Sequence, residues 1–148
     1  MSMNRKTTSL LLSGALLMGA TSVHAALPEE ATLYKNPQCG CCDDYARHLE
    51  EMGVSVTIID DVEVGSIKLQ AGLPYGLGAC HTTLMGDYAI EGHVPMAAIE
   101  KLFEEQPDIG GIGLAGMPIG TPGMPGPQSE PYEVYQFTDQ EPEPFMTL

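Results

Sequence analysis

Three cysteines occupy four consecutive positions in Cys39-Gly40-Cys41-Cys42, and a fourth, Cys80, is followed at once by His81. Thiolates are soft ligands that select Cu(I), zinc or iron–sulfur clusters over hard cations, and they are also the nucleophiles of disulfide exchange. The chemistry open to this chain is therefore soft-metal binding or thiol redox, with copper the first metal to consider. Cys39 and Cys42 have the Cys-x-x-Cys spacing of thiol redox motifs. A helix starting among them lowers a cysteine pKa through its exposed amides and dipole. Cys41 is a third sulfur for which a simple dithiol site has no use. Structural zinc fits less well, because such sites pair two spaced Cys or His knuckles rather than one crowded triplet.

Cys80 can supply a fourth sulfur, or a disulfide to one of the triplet. His81 adds a nitrogen, but neighbours on a strand point to opposite faces, so both residues reach one site only if the backbone is still irregular there. His93, in Glu91-Gly92-His93-Val94-Pro95, stands at a helix entry where it faces the cluster or caps the turn. His48 shares a helix face with Cys41, yet seven residues separate them by roughly 10 Å, too far for one ion. Met117 and Met124 each stand in Gly-Met-Pro. Proline extends the residue before it, so two thioethers are presented on a stiff, glycine-flanked segment.

The elements that must position these groups are legible in outline. Ala31 to Tyr34 is a short apolar strand that stops at Asn36-Pro37, because proline lacks a ladder donor. A helical pattern runs from Cys42, with Tyr45, Leu49 and Met52 on one face, to Gly53. Val54, Val56 and Ile58 alternate as a strand, and Val64 to Ala71 is a short helix. Thr82 to Met85 and Tyr88 to Glu91 pair through Gly86-Asp87 as a hairpin. Pro95 opens a helix to about Glu105. This order gives an α/β fold, a mixed sheet flanked by helices. It is the order of the thioredoxin-like fold, which places a cysteine loop between its first strand and first helix. Gly110 to Gly126, rich in glycine, proline and methionine, reads as a long functional loop. Tyr132 to Phe137 adds an edge strand or packs back on the domain. Residues 138–148, acidic and Pro-rich, read as a disordered tail.

Arg5 and Lys6 precede an apolar run from Leu10 to Ala20 that ends at Val23-His24-Ala25, the pattern of a cleavable signal peptide over residues 1–25. The run is too short to span a bilayer, and no later segment approaches that length. The expectation is one soluble, exported domain over residues 26–137. Beyond the signal, all 20 acidic residues face only Lys35, Arg47, Lys68 and Lys101. Nucleic acid and anionic membranes, which are bound by basic patches, are thereby excluded as partners.

Tyr34-Lys35-Asn36-Pro37-Gln38-Cys39-Gly40-Cys41-Cys42, Cys80-His81-Thr82, Ile90-Glu91-Gly92-His93-Val94-Pro95 and the stretch from Gly116 to Met124 together resemble the CopG family of periplasmic copper-resistance proteins. The resemblance spans about Ala31 to Phe137. It implies a thioredoxin-like domain that binds several copper ions in a cysteine-bridged cluster, with interconversion of Cu(I) and Cu(II) within its scope. The ligands it implies are Cys39, Cys41, Cys42 and Cys80, joined by His81, His93, Met117 and Met124. Copper ions and other periplasmic copper-handling proteins are the implied partners. No catalytic residue is assigned; an enzymatic role would be that of a copper-dependent oxidoreductase.

Two other functions compete. A metal-free thiol oxidoreductase, thioredoxin-like or arsenate-reductase-like, accounts for Cys39 and Cys42. It leaves Cys41 unused, puts Cys80-His81 where thioredoxin-like oxidoreductases generally carry a cis-proline, and offers an oxyanion only Arg47 as an arginine beyond the signal. A disulfide-stabilised interaction module accounts for four cysteines in three alternative complete pairings.

Overall fold

The computed structural model describes residues 26–60, 63–138 and 141–148; the expected signal peptide lies outside the described residues. Strand β1 (Glu30–Lys35) leads through the cysteine loop into helix α1 (Gly40–Glu51). Strand β2 (Ser55–Ile59) returns parallel to β1, which is the crossover expected of a strand–helix–strand unit. Helix α2 (Val64–Gln70) precedes β3 (His81–Met85) and β4 (Tyr88–Glu91), which form the expected antiparallel hairpin. Helix α3 (Met96–Glu105) then leads to β5 (Gly111–Gly113), β6 (Glu133–Phe137) and β7 (Glu143–Thr147). The sheet has seven strands in the order β2-β1-β3-β4-β5-β6-β7 and is mixed, as anticipated: β1–β2 and β4–β5 are parallel, and the other pairs are antiparallel.

Helix α1 begins at Gly40, within the triplet, and buries Cys42, Tyr45, Ala46 and Leu49. Met52 and Gly53 end it by donating to the Leu49 and Glu50 carbonyls. Helix α3 buries Ala98, Ile99, Leu102 and Phe103. Both helices share one core with Leu33, Met85, Ile90 and Ile112 of the sheet. Each such aliphatic side chain contributes about 1.5–3 kcal/mol when fully buried. Ala89 points the other way and packs with Tyr135, Phe137 and the segment after α2, including Ala71, Leu73 and Leu77. Neighbours on β4 therefore serve opposite faces, as strand geometry requires.

Two readings of composition are corrected. The Gly/Pro/Met-rich stretch is not loop throughout, because Gly111–Gly113 pairs with both β4 and β6. A Cβ at Gly111 would fall 1.9 Å from the Ala89 carbonyl oxygen. The glycine that marks a loop by composition is what lets two backbones approach here. The end of the acidic tail is not disordered either: Glu143–Thr147 pairs with β6, and Phe145, Met146 and Leu148 pack against the main core. The Lys101 ammonium lies 4.5 Å from the Phe145 ring centre, a cation–π contact from α3. Three apolar side chains in the last four residues outweigh the disorder bias of their Glu and Pro neighbours.

Candidate metal centre

The turn between β1 and α1 gathers the triplet. The Cys39 amide donates to the Asn36 carbonyl at 3.0 Å, folding the chain back just before the helix. At the same end, buried Lys35 pairs with Asp43 in the first turn of α1 at 3.2 Å. Cys39 and Cys42 are joined in a disulfide, whereas Cys41 and Cys80 are free thiols among the described residues. Cys41 Sγ lies 3.4 Å from Cys39 Sγ, and Cys80 Sγ lies 3.4 Å from Cys42 Sγ. All four sulfurs fall within 4.8 Å of one another. The structure thus forms a single disulfide inside the triplet and none of the three complete pairings, because Cys41 and Cys80 stay free.

A second group of donors overlaps the first: Cys42, Cys80, His81 and His93 also present atoms within 4.8 Å of one another. Cys80 Sγ is 3.4 Å from His81 Nδ1 and 3.2 Å from His93 Nε2. Cys80 directly precedes β3, so the alternation that would separate it from His81 has not yet begun. His93 Nδ1 lies 2.7 Å from the Pro122 carbonyl oxygen. A carbonyl has no proton to give, so Nδ1 carries the hydrogen and Nε2 keeps its lone pair, aimed at Cys80. His81 Nε2 is buried with no hydrogen-bond partner among the described residues. Imidazole nitrogens of His81 and His93 set against the Cys80 sulfur form a mixed nitrogen and sulfur donor set of the kind a borderline or soft ion takes, so the residues fit copper.

Tyr45 braces both imidazoles. Its ring centre is 4.6 Å from that of His81 and 5.4 Å from that of His93, and its hydroxyl donates to the Val94 carbonyl at 3.0 Å. Burial raises its pKa, keeping it a neutral donor. Sequence periodicity places Tyr45 in the core. Its spacing from Cys41 and Cys42 on one helix turn was the signal that it also touches the site.

Met117 and Met124 lie on the strap from Gly116 to Met124, which meets the centre at Pro122 and Gly123. Met124 lines a groove with Asp44, Arg47, His48 and Pro122, and Met117 is 50% exposed. Gly123 in this strap approaches the Cys41 carbonyl, the Tyr45 amide and His93 Nδ1. His48 points outward, 3.3 Å from Glu51.

Electrostatics decide the resting protonation. Burial pushes the Cys80 thiol up to about 12, reinforced by the charge and hydrogen bond of Cys41 and opposed by Lys68. His81 is held well below its ordinary value of 6.5 by burial, by His93 and by Lys68. Burial also lowers His93, against the hydrogen bond to Pro122. At neutral pH the imidazoles are therefore ready ligands, while Cys80 must lose a proton to bind. Proton release makes metal affinity rise with pH, roughly tenfold per unit for each proton displaced. Chelator competition at pH 6, 7 and 8 should show Cu(I) affinity increasing across the series; a flat profile would mean that no thiol proton is displaced.

A mixed α/β domain whose β1–α1 turn, β3 entry and β4–α3 turn bring four sulfurs and two imidazoles together has a donor cluster that could hold a soft metal. Two solved structures titled copper resistance protein CopG, forms 1 and 2, are each 35% identical to the chain. Each covers 82% of this chain and is itself 98% covered, with a TM-score of 0.75. The chain belongs to the CopG family of copper resistance proteins. Residues 77–124 also match a family described as "Protein of unknown function, DUF411", a span that holds Cys80, His81, His93 and both strap methionines. No curated protein matches the chain.

Proposed function

We propose that the protein is a periplasmic copper-binding protein of copper resistance that holds Cu(I) in a cysteine-bridged multinuclear site and interconverts Cu(I) and Cu(II). The observation that carries this reading is the convergence of Cys39, Cys41, Cys42 and Cys80 within 4.8 Å. Membership of the CopG family supports copper as the cargo. Four thiolates balance several monovalent ions, and bridging lets few sulfurs hold them. Thiolate favours Cu(I), whereas imidazole suits copper more broadly, so His81 and His93 extend the donor set toward both oxidation states. Met117 and Met124 act as strap ligands that pass copper into or out of the centre. The Cys39–Cys42 disulfide must first accept two electrons and two protons to free both thiols. The order β2-β1-β3-β4, with α1 entering at the cysteine loop, supports a thioredoxin-like reading of the domain.

Residues 1–25 direct export, and other periplasmic copper-handling proteins are the donors and acceptors that such a site requires. A metal-free thiol oxidoreductase is the second reading, favoured by the disulfide at the start of α1. Recovery of the protein from the periplasm of copper-loaded cells separates the two. The copper reading expects a chain beginning at Ala26 with copper bound. It is contradicted by metal-free protein that exchanges disulfides with thiol substrates at oxidoreductase rates.

A further inference from the structure

On the face of the sheet opposite Tyr45, Glu91 is completely buried and anchors a polar network that copper ligation does not use. Its Oε1 accepts the Ala79 amide at 2.5 Å and the Lys68 ammonium, and its Oε2 accepts the Thr82 hydroxyl at 2.6 Å. Lys68, from α2, also donates to Thr82 Oγ1 at 3.1 Å. Ala79 and Thr82 are the residues on either side of Cys80 and His81. The Glu91 backbone continues through Gly92 into His93, and the Gly92 amide donates to the His81 carbonyl at 3.0 Å. One carboxylate thus grips both ends of the segment that presents two donors and roots the segment that presents a third.

A buried ion pair is weak support for stability, because desolvating two charges offsets most of their attraction. Two apolar side chains would fill this space at no such cost, but they would leave the Ala79 amide unbonded and the approach to β3 unfixed. We infer that Glu91 is a positioning residue of the metal centre: through hydrogen bonds to Ala79 and Thr82 it sets the direction of Cys80 and His81 toward His93. Lys68 neutralises the carboxylate so that it can remain buried there. This inference deepens the copper reading and rests on it. Outer partners of metal ligands are typically worth about 10–100-fold in affinity, and this clamp belongs in that range.

Two double variants of the full chain test it. Lys68→Met with Glu91→Leu removes both charges together and leaves no acceptor. Lys68→Met with Glu91→Gln removes the same charges and keeps a carbonyl for the Ala79 amide and an amide for Thr82. The first should bind Cu(I) about 10–100-fold more weakly and show an altered sulfur-to-nitrogen count by X-ray absorption. The second should stay within about threefold of the parent, a small part of that outer-shell range. Equal losses in both, or parental affinity and coordination in both whatever their Tm, would overturn the inference. Should the Leu variant fail to fold, Thr82→Val removes one arm of the clamp and should still weaken binding several-fold; no change contradicts it. Should the parent bind no copper, the copper reading fails by itself. The clamp is then judged on the reduced, metal-free chain, where alkylation of Cys80 should be at least several-fold faster in the Leu variant alone.

Discussion

Cys80→Ser lowers the Cu(I) affinity of the reduced protein by about a hundredfold or more, equivalent to about 2.8 kcal/mol. Cys80 is the one free thiol shared by both donor groups, in contact with Cys42, His81 and His93. Serine keeps nearly the same shape but offers a hard, protonated oxygen where a thiolate is needed. Without Cys80 the sulfur group loses a corner and both imidazoles lose the sulfur they contact directly. The fold should barely respond, because the thiol is only partly buried and its contacts are with other ligands. Competition with a Cu(I) chelator reads the effect, and His48→Ala, at a position turned away toward Glu51, should match the parent. A Cys80→Ser protein with parental affinity would remove Cys80 from the centre.

Gly123→Ala should damage both stability and copper binding. Gly123 has φ +80, a region that costs other residues about 1–2 kcal/mol. A Cβ there would also lie 2.6 Å from the Cys41 carbonyl oxygen and 2.9 Å from the Tyr45 amide nitrogen. Both obstacles are backbone of the first turns of α1, which cannot yield without breaking helical hydrogen bonds. The strap must lift instead, drawing the Pro122 carbonyl away from His93 Nδ1 and freeing that ring to turn. The expected loss is about 2–4 kcal/mol, adding the clash to the backbone strain, together with weaker Cu(I) binding. Gly116→Ala is the matched control, since φ is +72 but no atom lies within 4 Å of the added carbon. It should show the strain alone and leave copper binding intact. Denaturant unfolding and chelator competition on the two variants test this; equal behaviour would mean that the strap does not brace the site.

The parts of this molecule readable from sequence are those whose side-chain pattern repeats. Tyr45 and Leu49 mark the buried face of α1, and the residues flanking Gly86-Asp87 form the expected hairpin. The crowding of Cys39, Cys41 and Cys42 marks the centre before any fold is known. Other features depend on contacts between distant segments. β5 hides in a glycine run because its role is to let backbones approach, which composition does not distinguish from a loop. β7 hides behind Glu and Pro because its order comes from Phe145 and Met146 reaching the core. The Pro122 carbonyl that fixes the His93 tautomer is backbone and leaves no trace in residue type. Glu91 is visible as a charge at the end of a strand, yet only the fold shows that its partners bracket Cys80 and His81.

The pH response follows the same logic. His81 and His93 have folded-state pKa values below the ordinary 6.5. The unfolded chain therefore binds protons more readily than the folded one as pH falls below that value. Their contribution is fully present above about pH 6.5 and is lost on acidification, at up to about 1.4 kcal/mol per pH unit for each group. Unfolding of the metal-free protein at pH 7 and pH 5 should show this loss.

If the four cysteines form one copper-bridging site, anaerobic titration of the fully reduced protein with Cu(I) should end at more than one Cu(I) per chain. Cys41→Ser, which removes the sulfur that a dithiol site would not need, should lower that number. A stoichiometry of one or less, unchanged by Cys41→Ser, would contradict a bridging site.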